Sequence, residues 1–358
     1  MFHDRSKTNE EVYRDGLKLV REAAGKDVFL LGCNIAQNMR TLGGSIGLVD
    51  AMRVGPDIKA DWSAVVRCAR PATYLYFLNG RVWHNDPDCV MLRDPLTLDN
   101  ARAWATFVAL SGQLNLVSEW LPDLPAEKLD VYKRTIPNHR NLSARPVDLF
   151  EHEMPRVWQL TSGQGEERRD VVALFNWNAP PSTRPTTAPA PEEPTTARSD
   201  ASTMLQPSPA TVRLDLKALG LAEGNYVGFD YWDKQFIPNL RDGMEFRLPA
   251  GSCKVIAIVR KLSRPQVVSN SRHVAQENLD QTYVRWQNDA HELKARSRVV
   301  QGDPLELRID AGGWRLSDFD VAGDALAAGK PTQEGDAVRV TITSKATREI
   351  EWTMRFGR

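Results

Sequence analysis

The apolar residues of the first 125 positions alternate between a helical spacing and short continuous runs. A capping box at residues 8–11 precedes apolar residues three or four apart, and Gly25 follows them, which predicts a helix over residues 9–24. Residues 28–31 form a continuous apolar run of the kind that is buried in parallel sheets. A second helix is predicted over residues 97–110. This rhythm is typical of βα units and predicts a parallel sheet.

Two further apolar segments, at residues 47–52 and 114–120, also lead into loops. Together with residues 28–31 and the segments around the loop at 83–88, they predict four parallel strands between residues 28 and 120. The carboxyl ends of such strands carry the active site in barrel enzymes. Polar side chains directly after each apolar run are therefore the first candidates for chemistry.

From about Pro155 the pattern changes to short strand-like runs separated by Gly, Asp, Asn and Pro turns. This pattern predicts an antiparallel β-sandwich over residues 151–262 and a second one over residues 263–358. Residues 179–209 are rich in Pro, Thr, Ala and Ser and cannot supply a core. We interpret them as a disordered insertion in the first sandwich.

The composition excludes several classes of function. The 358 residues contain 46 basic and 46 acidic side chains, so the net charge is zero and no nucleic-acid partner is expected. There is neither an apolar run long enough to cross a membrane nor a signal peptide at the polar start of the chain, so localisation stays open. Four cysteines without metal-ligand spacing predict no metal and no cofactor, while their disulfide status stays open.

The candidate chemistry lies in two loops. Arg53, Asp57 and Trp62 follow the run at residues 47–52, and Asp86 and Asp88 lie in an Asn-Asp-Pro-Asp turn. Paired carboxylates at strand ends are the equipment of a glycosidase, whereas an isolated Arg-Asp pair in a turn is more often an ordinary surface feature. Both interpretations stay open on spacing alone.

A third loop and two tryptophans add binding candidates. Cys33 and Asn34 follow the first apolar run directly, where a ligand contact is expected, although a small core residue is the simpler role for Cys33. Trp62 and Trp83 are candidate platforms for a sugar ring, although most tryptophans pack in cores.

Taken together, these segments resemble the melibiase-type α-galactosidases of glycoside hydrolase families 27 and 36. The resemblance is carried by residues 30–34, 47–57, 62, 85–88 and 110–113 and covers about residues 5–140. It implies that residues 1–150 are the C-terminal half of a (β/α)8 TIM-type barrel. The implied fold class is thus an α/β half-barrel followed by two antiparallel β-sandwich domains.

The resemblance also implies roles for individual residues. Asp57 would be the acid/base of a retaining mechanism, and Arg53 and Asp88 would contact galactose hydroxyls. Cys33, Asn34, Trp62 and Asp86 complete the expected substrate-binding set. The implied substrate is a carbohydrate with a terminal α-galactose. The nucleophilic Asp of this family lies on a strand before the helix at residues 9–24, so the chain is expected to begin after it.

Other functions remain open at this point. An α-N-acetylgalactosaminidase or a galactosyl transferase on the same scaffold would differ in how the pocket treats the second carbon of the sugar. A non-catalytic carbohydrate-binding protein would use the sandwiches instead. A half-barrel would expose apolar sheet edges, so a homo-oligomer is also an expectation.

Overall fold

The computed structural model describes residues 6–33, 39–179, 208–276, 280–323, 326–328 and 330–358. Asn34 and nearly all of the predicted insertion at residues 179–209 lie outside these ranges, so the predictions made for them stay predictions. Within the described ranges, no helix is both long and apolar enough to cross a membrane.

The first 150 residues form helices around a small parallel sheet. The helices of the described part are α1 Asn9–Ala24, α2 Met39–Ser45, α3 Trp62–Tyr74, α4 Leu98–Ser111 and α5 Ala126–Lys133. The strands are β1 Leu31–Gly32, β2 Ala51–Arg53 and β3 His84–Asp86, hydrogen-bonded in that order and all parallel.

The sheet is shorter than the predicted four strands. The segment predicted as the fourth strand, residues 114–120, lies next to β3, because the Leu114 amide donates to the Asn85 carbonyl. Among the described residues, its only strand-like pairing is an isolated parallel bridge between Val117 and Val90. The backbone of Asp88 has a φ of 77°, which turns the chain out of the extended conformation directly after β3. The ladder is therefore interrupted where a fourth strand was expected.

Helix α1 begins and ends as predicted. The Thr8 hydroxyl accepts a hydrogen bond from the Glu11 amide, and the Glu11 carboxylate accepts one from the Thr8 amide. The expectation that residues 28–31 are buried is wrong for Val28, Phe29 and Leu31, which are exposed. Val28 and Phe29 precede the two-residue strand β1, and Leu31 is its first residue. β1 lies at the edge of the sheet, where the described chain provides no neighbouring strand.

Helix α4 is buried on nearly every side and joins the parallel sheet to the first sandwich. Thr97 caps its start, and Gly112 ends it with a left-handed φ of 65°. Phe107 stacks on Trp104 and meets Trp158 edge to face, with ring centroids 5.6 Å and 5.4 Å away respectively. One hydrophobic core thus extends from the helices into the sandwich.

The first sandwich consists of an antiparallel six-stranded sheet in the order β4-β5-β6-β11-β8-β9 and a two-stranded sheet of β7 and β10. Its strands are β4 Arg145–Pro146, β5 Val157–Ser162, β6 Arg169–Asn176, β7 Ala210–Asp215, β8 Tyr226–Asp230, β9 Gln235–Leu240, β10 Gly243–Leu248 and β11 Ser252–Arg260. β6 is buried along its whole length because it lies between β5 and β11, with α4 packed on one face.

The second sandwich also has two antiparallel sheets, in the orders β12-β15-β19-β17, with β18 paired to β19, and β13-β14-β20-β16. Its strands are β12 Gln266–Asn270, β13 Gln281–Gln287, β14 Glu292–Val299, β15 Leu305–Asp310, β16 Arg315–Val321, β17 Leu326–Ala328, β18 Thr332–Glu334, β19 Ala337–Ser344 and β20 Arg348–Gly357. The two sheets share a core that includes Leu307, Val340 and Trp352.

Candidate active site

The candidate site begins with the register of two neighbouring strands. Arg53 is the last residue of β2 and lies beside Asp86, the last residue of β3. Because parallel strands end at the same edge of a sheet, the loops that follow β2 and β3 leave the sheet side by side. The local order of residues in each loop then decides which side chains meet.

Arg53 is the centre of a group of four charged side chains, which we call the arginine cluster: Arg53, Asp57, Asp86 and Asp88. Its Nε donates to Asp86 Oδ2 at 3.1 Å, and its Nη1 donates to Asp88 Oδ2 and Asp57 Oδ1, both at 3.0 Å. The side chain of Asp86 is only 1% exposed and that of Arg53 14%, whereas that of Asp57 is 86% exposed. The cluster therefore has a buried side and an open side, and Asp57 lies on the open one.

Asp88 connects the loop after β2 to the loop after β3 by hydrogen bonds. Its Oδ2 also accepts a hydrogen bond from the Ile58 amide at 2.7 Å, and its Oδ1 accepts one from the Cys89 amide at 2.7 Å. Its own amide donates to Asp86 Oδ1 at 2.8 Å. These bonds hold the left-handed backbone of Asp88 in place, so its carboxylate is fixed before any ligand arrives.

The charges of the cluster reinforce one another. Burial alone would lower the pKa of Arg53, but the carboxylates of Asp86 and Asp88 outweigh it, and the pKa of Arg53 is raised. Burial raises the pKa of the Cys89 thiol to about 11, and Asp88 contributes in the same direction. The guanidinium is therefore permanently charged, and the neighbouring thiol stays neutral at ordinary pH.

Cys33 lies at the end of β1 and is exposed. It is near enough for its charge to contribute to the raised pKa of Arg53. Cys33, Cys68, Cys89 and Cys253 are all free thiols. Among the described residues, no group of three or more His, Cys, Asp or Glu side chains is arranged to hold a metal ion.

The structure does not bring Trp62 to the arginine cluster. Trp62 begins α3 and is buried, with its ring stacked on Trp177 at 5.9 Å between centroids. Its Nε1 donates to the Trp177 carbonyl at 3.1 Å. Trp62 therefore packs α3 against the first sandwich, and its indole is not available as a platform for a sugar. Trp83 is buried as well, and its Nε1 donates to Asn85 Oδ1 at 3.0 Å.

Glu119 supports the loop after β3 and was not predicted as a functional residue from the sequence. Its buried carboxylate accepts hydrogen bonds from the Leu92 amide at 2.6 Å and the Arg93 amide at 3.1 Å, and it pairs with the Arg93 guanidinium at 3.1 Å. The only sequence signal was its position near the end of the last apolar segment, residues 114–120. Glu119 holds the segment that follows Asp88 and so positions the cluster from outside.

Solved structures with the same fold are glycoside hydrolases, while no protein-family profile matches the sequence. The chain is similar to a family GH27 β-L-arabinopyranosidase from Geobacillus stearothermophilus, with 14% identity, a TM-score of 0.52, and coverage of 70% of this chain and 54% of that one. It is also similar to α-galactosidase I from Mortierella vinacea, with 10% identity, a TM-score of 0.51, and coverage of 70% and 62%.

These matches confirm, at the level of fold, the predicted resemblance to melibiase-type α-galactosidases. The chain spans little more than half of the length of the arabinopyranosidase. A variant of that enzyme solved in complex with arabinose has a TM-score of 0.53 at 15% identity. At such identities the fold is shared, and the roles of the residues have to be argued from the arginine cluster itself.

Proposed function

We propose that this chain carries part of the sugar site of a retaining glycoside hydrolase that acts on terminal α-galactosides. The observation that carries the proposal is the arginine cluster, in which one guanidinium holds three carboxylates at the carboxyl ends of β2 and β3. The three parallel strands further support residues 1–150 as half of a (β/α)8 barrel, the architecture in which such an edge is the active face.

Asp57 is the proposed general acid/base. It is the one carboxylate of the cluster that is open to solvent, and a carboxyl group must reach the glycosidic oxygen to protonate it. Arg53 orients Asp57 through the 3.0 Å bond between Nη1 and Oδ1. The proton would pass from Asp57 to the leaving oxygen and would later be recovered from the attacking water.

Arg53 and Asp88 are the proposed binding groups. A guanidinium that donates and a fixed carboxylate that accepts can together hold two adjacent hydroxyls of a sugar ring. Asp88 is already held by the backbone amides of Ile58 and Cys89, so binding would require little further ordering. Asp86 keeps Arg53 in position from the buried side.

A retaining enzyme needs two carboxyl groups about 5–5.5 Å apart. The bonded oxygens of Asp57 and Asp88 both lie 3.0 Å from Arg53 Nη1, so their separation is at most twice that distance. Asp88 nevertheless has both oxygens bound to backbone amides, which suits recognition better than attack on the sugar. We therefore assign the nucleophile to none of the described residues.

Two other candidates are each favoured by one observation. The similarity to a solved β-L-arabinopyranosidase favours a β-L-arabinopyranoside as substrate, a sugar that differs from an α-D-galactoside by the lack of the exocyclic hydroxymethyl group. The second candidate is carbohydrate binding without turnover, because every carboxylate of the cluster already has a protein partner.

The test measures binding and turnover separately. Galactose and arabinose are titrated calorimetrically, and para-nitrophenyl α-galactoside and β-L-arabinopyranoside are assayed for release of the chromophore. Asp57→Asn is expected to keep galactose binding while any turnover falls about 10²–10⁴-fold. The exposed Asp27→Asn is the matched control and should change neither quantity.

The outcomes separate the candidates. Galactose binding with turnover that depends on Asp57 supports the proposed hydrolase. Preference for the arabinoside in both assays would replace the substrate. Binding without turnover is expected both of a site whose nucleophile is not among the described residues and of the non-catalytic candidate. Azide or formate, small nucleophiles that can replace a missing carboxylate, would then restore release of the chromophore at a catalytic site and not at a binding site. If neither sugar binds, or if Arg53→Lys binds galactose as tightly as the unchanged chain, the cluster is not a sugar site.

A further inference from the structure

A cavity that includes no residue of the arginine cluster lies beside the first sandwich. It has a volume of about 700 Å³ and lies between the segment that leads into β3 and the edge of the first sandwich. Arg81, Arg145 and Arg168 line it, and no acidic side chain is among its lining residues. A cavity of this size is within the usual range for a small-molecule site.

Only one of the three arginines is paired with a carboxylate of the described residues. Arg168 forms an ion pair with the buried Asp170, with Nε to Oδ2 at 2.9 Å and Nη2 to Oδ1 at 3.1 Å. Within the described part of the chain, Arg81 and Arg145 have no carboxylate partner. The cavity therefore carries two positive charges that the described residues do not balance.

Neutral oxygens hold these two guanidiniums in place. Arg81 donates to the Phe77 carbonyl at 3.3 Å and to the Leu142 carbonyl at 3.1 Å, and Arg145 donates to Gln159 Oε1 at 2.8 Å. Each guanidinium has five N–H donors, so both keep donors free for a further acceptor. The groups are thus ordered and charged, and they still have donors to offer.

Two other parts of the cavity suit the same kind of ligand. Tyr76 is half-buried, lines the cavity, and has no hydrogen-bond partner for its hydroxyl among the residues whose bonds the structure describes. On the sandwich side, Gly163 and Gly165 have φ values of 68° and 57°, and a Cβ at Gly163 would lie 2.4 Å from the Glu167 carbonyl oxygen. Only glycine permits this tight turn, which brings the loop to the rim.

We propose that this cavity, lined by Arg81, Arg145 and Tyr76, is a binding site for a small oxyanion. The ligand class is a carboxylate, sulfate or phosphate group, either free or carried on a sugar. The guanidiniums match such groups because charge-assisted N–H···O bonds to an oxyanion are stronger than neutral ones. This site shares no residue with the sugar site proposed above: Arg81 precedes the amino end of β3, whereas the arginine cluster lies at the carboxyl ends of β2 and β3.

The experiment uses the full chain and three probes at constant ionic strength: inorganic phosphate, galacturonate and galactose. Binding is measured by isothermal titration calorimetry. Arg81→Gln and Arg145→Gln are made singly and together. Arg247→Gln is the control, because Arg247 is exposed on β10 and its replacement removes one positive charge, as each single variant does.

At least one anion is expected to bind. The double variant should lose more than about tenfold in affinity for it, since two charge-assisted hydrogen-bond donors are removed. Arg247→Gln should bind like the unchanged chain. Tighter binding of galacturonate identifies an acidic sugar as the ligand, and tighter binding of phosphate identifies a free or phosphorylated ligand.

Two results would overturn the proposal. One is that neither anion binds. The other is that both single variants bind the anions as tightly as the control does. Should the double variant fail to fold, Arg81→Gln decides the question alone, because Arg81 is exposed and contacts only carbonyl oxygens.

Discussion

Replacing Arg53 with glutamine tests the arginine cluster most directly. The substitution removes a guanidinium that bonds to three carboxylates and leaves a shorter, neutral side chain. Asp86 and Asp88 are both buried, and Arg53 is the only cationic partner that the described residues give them. Two buried carboxylates would then face each other without a counter-charge.

The expected loss of stability depends on the hydrogen bonds that each carboxylate retains when Arg53 is replaced. Removing one partner of a buried ion pair typically costs about 3–5 kcal/mol. Asp88 retains the amides of Ile58 and Cys89, and Asp86 retains the amide of Asp88, so we expect a loss near the lower end, ~3 kcal/mol. The exposed pair with Asp57 adds at most ~1 kcal/mol.

The assay is urea unfolding near neutral pH, followed by tryptophan fluorescence. Arg53→Lys should show an intermediate loss, because an ammonium on a flexible stem cannot reproduce bonds from both Nε and Nη1. The double variant Arg53→Gln/Asp86→Asn should recover part of the loss, because it removes one of the two uncompensated charges. Arg247→Gln serves as a control for net charge.

A cost below ~1 kcal/mol for Arg53→Gln, which is the scale of an exposed ion pair, would contradict a buried charge cluster. A double variant no more stable than Arg53→Gln alone would contradict it as well. In the first case the cluster would be accessible to water, and in the second the loss would come from packing around the side chain of Arg53 and not from charge.

Three further predictions concern other parts of the chain. Two hydrogen bonds hold the pKa of Asp50 below its usual value: the one from the Leu30 amide has the larger effect, and the one from Arg21 the smaller. The ionised Asp50 therefore stabilises the fold at any pH above the unfolded-state pKa of ~3.9. This stabilisation is lost as the pH falls through the folded-state pKa. Asp50→Asn should therefore lower the free energy of unfolding near neutral pH and have no effect in strong acid; a difference that persists in acid would contradict this cause. Trp62→Phe loses the bond to the Trp177 carbonyl and should cost ~1–3 kcal/mol in urea unfolding while galactose affinity stays unchanged; weaker binding at unchanged stability would place Trp62 at the sugar. Deleting residues 180–207 should change stability by no more than ~0.5 kcal/mol, as their composition offers no apolar face; a loss of several kcal/mol would show that the segment packs.

The helix ends were predictable because their determinants are local. The capping box of α1 uses Thr8 and Glu11, three residues apart, and α4 ends at Gly112, where a left-handed backbone favours glycine. These bonds form within one turn of chain, so the order of residues is sufficient to predict them. Arg53, Asp57, Asp86 and Asp88 were also predictable as candidates from local sequence, since each lies in a loop next to an apolar run.

The order of residues is thus sufficient to predict the kind of elements, most of their ends, and the loops in which charged residues occur. The three-dimensional packing selects which of these residues meet: Arg53 reaches Asp86 and Asp88 across 33 and 35 residues of chain, through the register of β2 with β3. It also turned Trp62 toward Trp177, 115 residues away, and away from the site, since an apolar ring packs wherever the most surface can be buried. Such pairings depend on how sheets and helices stack, and spacing along the chain carries no record of that.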